Sequence, residues 1–341
     1  MTQQHADGFS SPMLEALQNA VRGAARATKF VHASTALSGL EKNDRSPVTV
    51  ADWASQAVVA LLLARDASTA NIPLVGEEDA TELRAPSHAM LRERVLEAVT
   101  HAIGNGFGVV TLEQCLDAID SGRAQPSKRF LTLDPVDGTK GFLRREQYAI
   151  SLGLIEDGRV TAGVVGCPNL ARGEGNYDTA DAVGCQAFAA LGCGAFLQCG
   201  DDVAQPIRMR EWSEGMDIRA CESVESGHSK QDLSAALLAQ LGAVGAPARL
   251  DSQAKYVVVA RGGADVYLRL PTIKDYRECI WDHAAGTLIA SEAGALITDV
   301  DGRVLDFSQG RKLSANRGIF AGNPRIVARL IDAFARVNHN A

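Results

Sequence analysis

The sequence predicts a layered, mixed α/β fold made of two successive units, and three observations carry that prediction. Short apolar runs bounded by Gly, Pro, Asn and Asp read as buried strands. They alternate with longer segments whose apolar residues recur at helical spacing. At 341 residues the chain is long enough for two packed units or one large layered one.

Taken in order, residues 1–10 are polar and are expected to fray. From Ser11 to Ser38, the residues Leu14, Leu17, Val21, Ala24 and Ala25 approximate one helical face. A second helix follows Asp52, running from Trp53 through Leu63, and on the residues alone Asp52 reads as its N-cap. Ile72–Val75 is a short strand ending in Gly76-Glu77-Glu78-Asp79, an acidic run that by itself reads as a solvated turn. Helical patterns at Leu91–His101 and Leu112–Ile119 are separated by glycine-rich turns.

Phe130–Leu133 is a buried strand, and it delivers the stretch Asp134-Pro135-Val136-Asp137-Gly138-Thr139-Lys140-Gly141. Proline fixes the backbone between the two carboxylates, and Gly138 permits a sharp turn. Asp134, Asp137 and the Val136 carbonyl can therefore converge on one point, where a hard divalent cation finds oxygen ligands. Gly138–Gly141 then opens a helix whose free N–H groups suit an anion. The plainer reading of D-x-x-D-G is a turn with an Asp cap.

Beyond it, Tyr148–Ile155 and Arg159–Val165 flank Glu156-Asp157-Gly158, a hairpin signature. Cys185–Leu191 and Ala195–Gln198 form another strand pair, and the units divide near Asp201–Pro206. The boundaries are residues 1–205, with most candidate metal ligands, and 206–341, with most candidate substrate contacts. The second unit holds strands at Asp217–Cys221, Ala264–Leu270 and Ala295–Asp299. Its helices are Ser229–Leu241, one beginning within Leu250–Tyr256, one from Trp281 through Ala293, and Pro324–Val337.

Composition narrows the function classes. Hydrophobic residues make up 46% and charged residues 22%, as in ordinary soluble globular proteins. A net charge of −7 argues against a broad nucleic-acid-binding face, which needs a basic surface. Seven scattered cysteines suggest free thiols in a reducing compartment. No apolar run is long enough to span a bilayer, and no basic-then-apolar signal opens the chain, so a cytoplasmic address is expected.

Three blocks occur in order: LDPVDGTKGFLR (Leu133–Arg144), GVVGCPN (Gly163–Asn169) and IWDHAAG (Ile280–Gly286). With them the chain, from about Lys42 to Phe320, resembles the lithium-sensitive, magnesium-dependent phosphatases of the inositol monophosphatase superfamily. The spelling GTKGFLR is most similar to the branch of 3'(2'),5'-bisphosphate nucleotidases. The resemblance implies a layered αβαβα sandwich of the inositol monophosphatase and carbohydrate phosphatase type, and two or three Mg²⁺ ions. It implies that Glu77, Asp134 and the Val136 carbonyl hold one ion and that Asp134, Asp137 and Asp282 hold a second. Asp52 and Glu77 would assist a third. Thr139, oriented by Asp52 or Glu77, would receive the proton of the attacking water.

The same resemblance places Gly138, Thr139 and Asp282 at the scissile phosphate, His228 near a nucleotide base, and Ser252, Lys255 and Arg269 at a second phosphate. On the residues alone His228 is incidental, Ser252 is a helix cap and Arg269 is a surface charge at a strand end. One argument for metals is independent of any family: carboxylates crowded at one point repel unless cations neutralise them. The expected function is removal of the 3'-phosphate from adenosine 3',5'-bisphosphate, and of the related phosphoadenylyl sulfate, by metal-activated water. The competing readings are an inositol (poly)phosphate phosphatase and a catalytically silent phosphonucleotide-binding protein. The expected partner is a small-molecule nucleotide, with neither nucleic acid nor membrane, and the protein is expected to be a monomer or weak oligomer.

Overall fold

Strands with apolar residues on both faces decide the layering, because each face must be covered. The computed structural model describes residues 11–38, 46–173, 177, 180–224, 231–242, 246–271 and 276–339, so the candidate contact His228 lies outside the described residues. The first sheet runs in the order β1 (Leu74–Gly76), β2 (Arg129–Asp137), β3 (Ala149–Glu156), β4 (Arg159–Cys167), β5 (Cys185–Ala190), β6 (Ala195–Cys199) and β7 (Gln205–Ile207). β1 pairs parallel with β2, and the other neighbours are antiparallel.

Leu131, Leu133, Ile150, Leu152 and Leu154 point to one side of this sheet. There they meet α1 (Pro12–Ser38), α2 (Ser46–Arg65), α3 (Ala89–Ile103) and α4 (Leu112–Asp120). Phe130, Ala149, Ile155 and Val165 point to the other side, against α7 (Ala254–Ala260) and α8 (Ala284–Glu292).

The second sheet has the order β11 (Leu296–Thr298), β12 (Ile319–Gly322), β10 (Val266–Arg269), β8 (Ala220–Glu222) and β9 (Ala248–Arg249). One of its faces closes the α7–α8 layer through Tyr267, Ile319 and Ala321. The other buries Val266, Leu268 and Phe320 under α6 (Gln231–Gln240) and α9 (Pro324–His339). The result is five alternating layers, αβαβα, as expected. No helix among the described residues is long and apolar enough to cross a membrane.

Several local expectations change. α2 begins at Ser46, so Asp52 lies inside the helix and is not its N-cap. Asp282 precedes α8 rather than sitting in its first turn. Strands β7 and β9 were not expected, because runs of three and two residues carry no readable period. β12 was missed although Ile319-Phe320-Ala321 is a plain apolar run.

The middle layer depends on close approach of helix to sheet. A Cβ on Gly163 of β4 would stand 2.9 Å from the Cα of Ala285 in α8, which is backbone and cannot yield cheaply. Gly163→Val is therefore expected to lower stability by about 2 kcal/mol, the scale of overpacking a core. Chemical denaturation checks this, and a change below about 0.5 kcal/mol would show that the layers can part freely.

Candidate active site

The site forms where two parallel strands end side by side. Leu74, Val75 and Gly76 of β1 pair with Leu131, Thr132 and Leu133 of β2. The Glu77 N–H donates to Leu133 O at 3.2 Å, so the residues leaving the two strands, Glu77 and Asp134, emerge together. Pro135 has no N–H for the ladder, and the β2–β3 register shifts between Asp134 and Asp137. Such an irregularity re-aims side chains. The Ser55 hydroxyl donates to the Pro135 carbonyl at 2.7 Å and fixes the bend from beneath.

Gly138 follows in the left-handed region (φ 84°) and begins the short α5 (Thr139–Arg144). A Cβ there would lie 2.9 Å from the Cβ of Ser252, so glycine also lets the second half of the chain approach. Arg144 pairs with Asp251 and, at 2.6 Å, with Glu146, tying α5 to the turn before α7.

These pieces wall a cavity of about 640 Å³. Its lining includes Glu77, Asp134, Val136, Asp137, Gly138, Thr139, Ser252, Lys255, Arg269 and Asp282. Those are all the candidate residues except Asp52 and His228. Asp52 is buried behind the wall, close enough for its charge to act on Asp134.

Burial raises the carboxyl pKa values of Asp52, Asp134 and Asp282 well above the usual range, and neighbouring carboxylates add to the rise. Glu77 is open to the cavity, yet partial desolvation among its neighbours, with Glu78 and Asp137, pushes it up to about 7 although its carboxyl hydrogen-bonds Asp134 and Arg311 stands nearby. This is the repulsion that bound cations would remove. The residues present fit such cations: Asp134 Oδ1 is buried and has no hydrogen-bond partner among the described residues. Glu77, Asp134, the Val136 carbonyl, Asp137 and Asp282 offer only oxygen, the donor set of a hard divalent ion. Among the described residues Glu278, Asp282 and His283 also bring ligand atoms within 4.8 Å of one another. Arg269, however, holds Glu278 through two hydrogen bonds of 2.8 and 2.6 Å, so that group already has its positive charge.

The cationic side differs from the simple expectation. Ser252 precedes α7 with φ 70°, its hydroxyl accepts from the Ala254 N–H at 3.2 Å and its carbonyl accepts from the Lys255 N–H at 3.4 Å. Lys255 is 2% exposed, donates to Leu250 O at 3.1 Å and lies 5.3 Å from the Tyr267 ring centroid. Burial lowers its pKa to about 8, against the pull of Asp137 and Asp251. Arg269 is no surface charge, because its side chain is 13% exposed and paired with Glu278. Among the described residues neither Asp52 nor Glu77 accepts a hydrogen bond from Thr139, so this structure does not assemble that relay.

Sequence reading missed several supports. Gln56 accepts the Glu78 N–H at 3.1 Å and donates to the Glu78 carbonyl at 2.6 Å, clamping the residue beside Glu77. Arg311 stacks 4.7 Å from the Trp281 ring centroid and donates to Gly76 O at 2.6 Å. Both act on backbone of distant segments, which leaves no local pattern.

The five-layer fold and a carboxylate-lined cavity at its strand ends define a class of metal-dependent phosphatases. The chain belongs to the inositol monophosphatase family, whose pattern matches residues 10–339. Members of that family generally depend on metal ions, and the acidic residues here could bind them.

Among curated relatives, the 3'(2'),5'-bisphosphate nucleotidase of Oryza sativa is 42% identical over 332 residues, covering 94% of this chain and 92% of that protein. The 3'(2'),5'-bisphosphate nucleotidase 1 of Arabidopsis thaliana is 41% identical over 334 residues, with 94% of each chain covered. The 3'(2'),5'-bisphosphate nucleotidase of Emericella nidulans is 39% identical over 340 residues, covering 93% of this chain and 96% of that one. Among solved structures, the extragenic suppressor protein suhB of Bartonella henselae has a TM-score of 0.62 at 19% identity, covering 95% of this chain and 100% of that one. CysQ of Bacteroides thetaiotaomicron has a TM-score of 0.59 at 18% identity, covering 92% and 98%. At these identities the two structures speak for the fold.

Proposed function

We propose that the chain is a Mg²⁺-dependent phosphatase that removes the 3'-phosphate of adenosine 3',5'-bisphosphate, giving AMP and phosphate. The observation that carries this reading is a single cavity lined both by crowded carboxylates and by two cations, the buried Lys255 and the half-buried Arg269. The names of the curated relatives point the same way.

Glu77, Asp134, the Val136 carbonyl, Asp137 and Asp282 would hold the ions. Bound Mg²⁺ supplies Lewis acidity, lowering the pKa of water and offsetting charge on the phosphoryl oxygens. The chain's own residues do the rest. The turn at Gly138 and Thr139 receives the scissile phosphate, and the Thr139 hydroxyl orients the attacking water for an in-line approach. Lys255 and Ser252 hold the second phosphate, and Arg269 adds its positive charge to the cavity. His228 belongs with the nucleotide base, and Asp52 supports the carboxylate cluster from behind.

The test is release of inorganic phosphate from adenosine 3',5'-bisphosphate compared with inositol phosphates. The bisphosphate is expected to be the better substrate, and preference for an inositol phosphate would overturn the assignment. Chelation is expected to reduce turnover to background, with recovery on adding Mg²⁺. Full activity after exhaustive chelation would remove the cations from the mechanism.

A further inference from the structure

Gln253 touches the candidate metal centre from two directions. Its backbone N–H donates to Asp137 Oδ2 at 2.5 Å. The residue is 2% exposed, and its side-chain amide reaches across to the segment that carries Asp282. There Nε2 donates to the Trp281 carbonyl at 2.8 Å, and Oε1 accepts the Gly286 N–H at 3.1 Å. One amide thus uses both its donor and its acceptor on backbone groups that bracket Asp282, all of them buried.

The neighbouring geometry is built to permit this. Ser252 stands at φ 70°, which turns the Gln253 N–H toward Asp137. Gly286 lacks a Cβ, and one placed there would stand 2.9 Å from Gln253 Oε1. Asp137 leaves the first sheet and Asp282 precedes α8 in the middle layer, so no hydrogen-bond ladder sets their separation.

We infer that Gln253 is a positioning residue, which fixes the spacing of Asp137 and Asp282 and thereby tunes the affinity of the cation these two carboxylates share. The inference rests on the proposed cation site. Groups that orient ligands from outside a metal's own shell change affinity by about 10- to 100-fold when removed. A purely structural role for Gln253 predicts lost stability with cation affinity intact.

The experiment is a substrate-free calorimetric titration with Mg²⁺ and Mn²⁺ on wild type, Gln253→Met and Gln253→Asn. Methionine fills the space without either hydrogen bond. Asparagine keeps a buried amide that is one methylene too short to bridge both groups, and it serves if the methionine variant does not fold. Both variants are expected to bind the cation at least about tenfold more weakly. The Mg²⁺ concentration for half-maximal phosphate release should rise in parallel, by more than kcat falls. A wild type that binds cation and a folded variant that binds it within twofold of wild type would overturn the inference and leave the proposed function standing. A wild type that binds no cation would overturn both.

Discussion

Asp137→Asn is expected to lower kcat for the bisphosphate by at least about a hundredfold, the scale of losing one electrostatic contact to the transition state. Asp137 lines the cavity, accepts the Gln253 N–H at 2.5 Å, and raises the pKa values of Glu77, Asp134 and Asp282 through its charge. Asparagine keeps the shape and an acceptor oxygen but removes the charge that a cation needs. Stability should move the other way. In cation-free protein the substitution relieves repulsion among crowded carboxylates, so the Tm without metal is expected to hold or rise. The two readouts separate the alternatives, since an Asp that only shapes a turn would cost stability and leave kcat near normal. A folded Asp137→Asn protein with near-normal kcat would return the stretch to that plainer reading.

Much of this site was legible because its key pieces are local. Pro135 and Gly138 sit within one short stretch, and the bulge and left-handed turn they produce follow from backbone sterics alone. The meeting of Glu77 with Asp134 could not be read that way. It depends on parallel pairing of β1 with β2, and a three-residue strand does not announce its partner. Resemblance supplied that contact where periodicity could not.

Ser252 shows a mixed outcome. The sequence reads Ser252 as the cap of α7, whereas Gln253 holds that position and the Ser252 hydroxyl accepts the Ala254 N–H from one residue further out. Its φ of 70° was not readable, because a left-handed serine is held by its surroundings and not by its own preference. Gln56, Gln253, Glu278 and Arg311 were invisible for a common reason. Each is an ordinary polar residue whose partners become neighbours only after the layers close.

Lys255→Ala is expected to lower kcat/KM for the bisphosphate by about ten- to a hundredfold while sparing a nucleoside 3'-monophosphate. The scissile phosphate needs the carboxylates and Thr139, which both substrates reach equally. Only the bisphosphate carries a second phosphate for Lys255 to hold. Removing a charged hydrogen bond there costs about 1.5–3 kcal/mol. Because burial holds the Lys255 pKa at about 8, the side chain is charged at neutral pH and loses its proton just above it. The preference of wild type for the bisphosphate over the monophosphate should therefore shrink as pH rises through about 8, and the alanine variant should lack that decline. Measuring kcat/KM for both substrates, with both proteins and across that pH range, tests the assignment. Equal losses on the two substrates, or a pH-dependent preference that survives in Lys255→Ala, would remove Lys255 from the second-phosphate site.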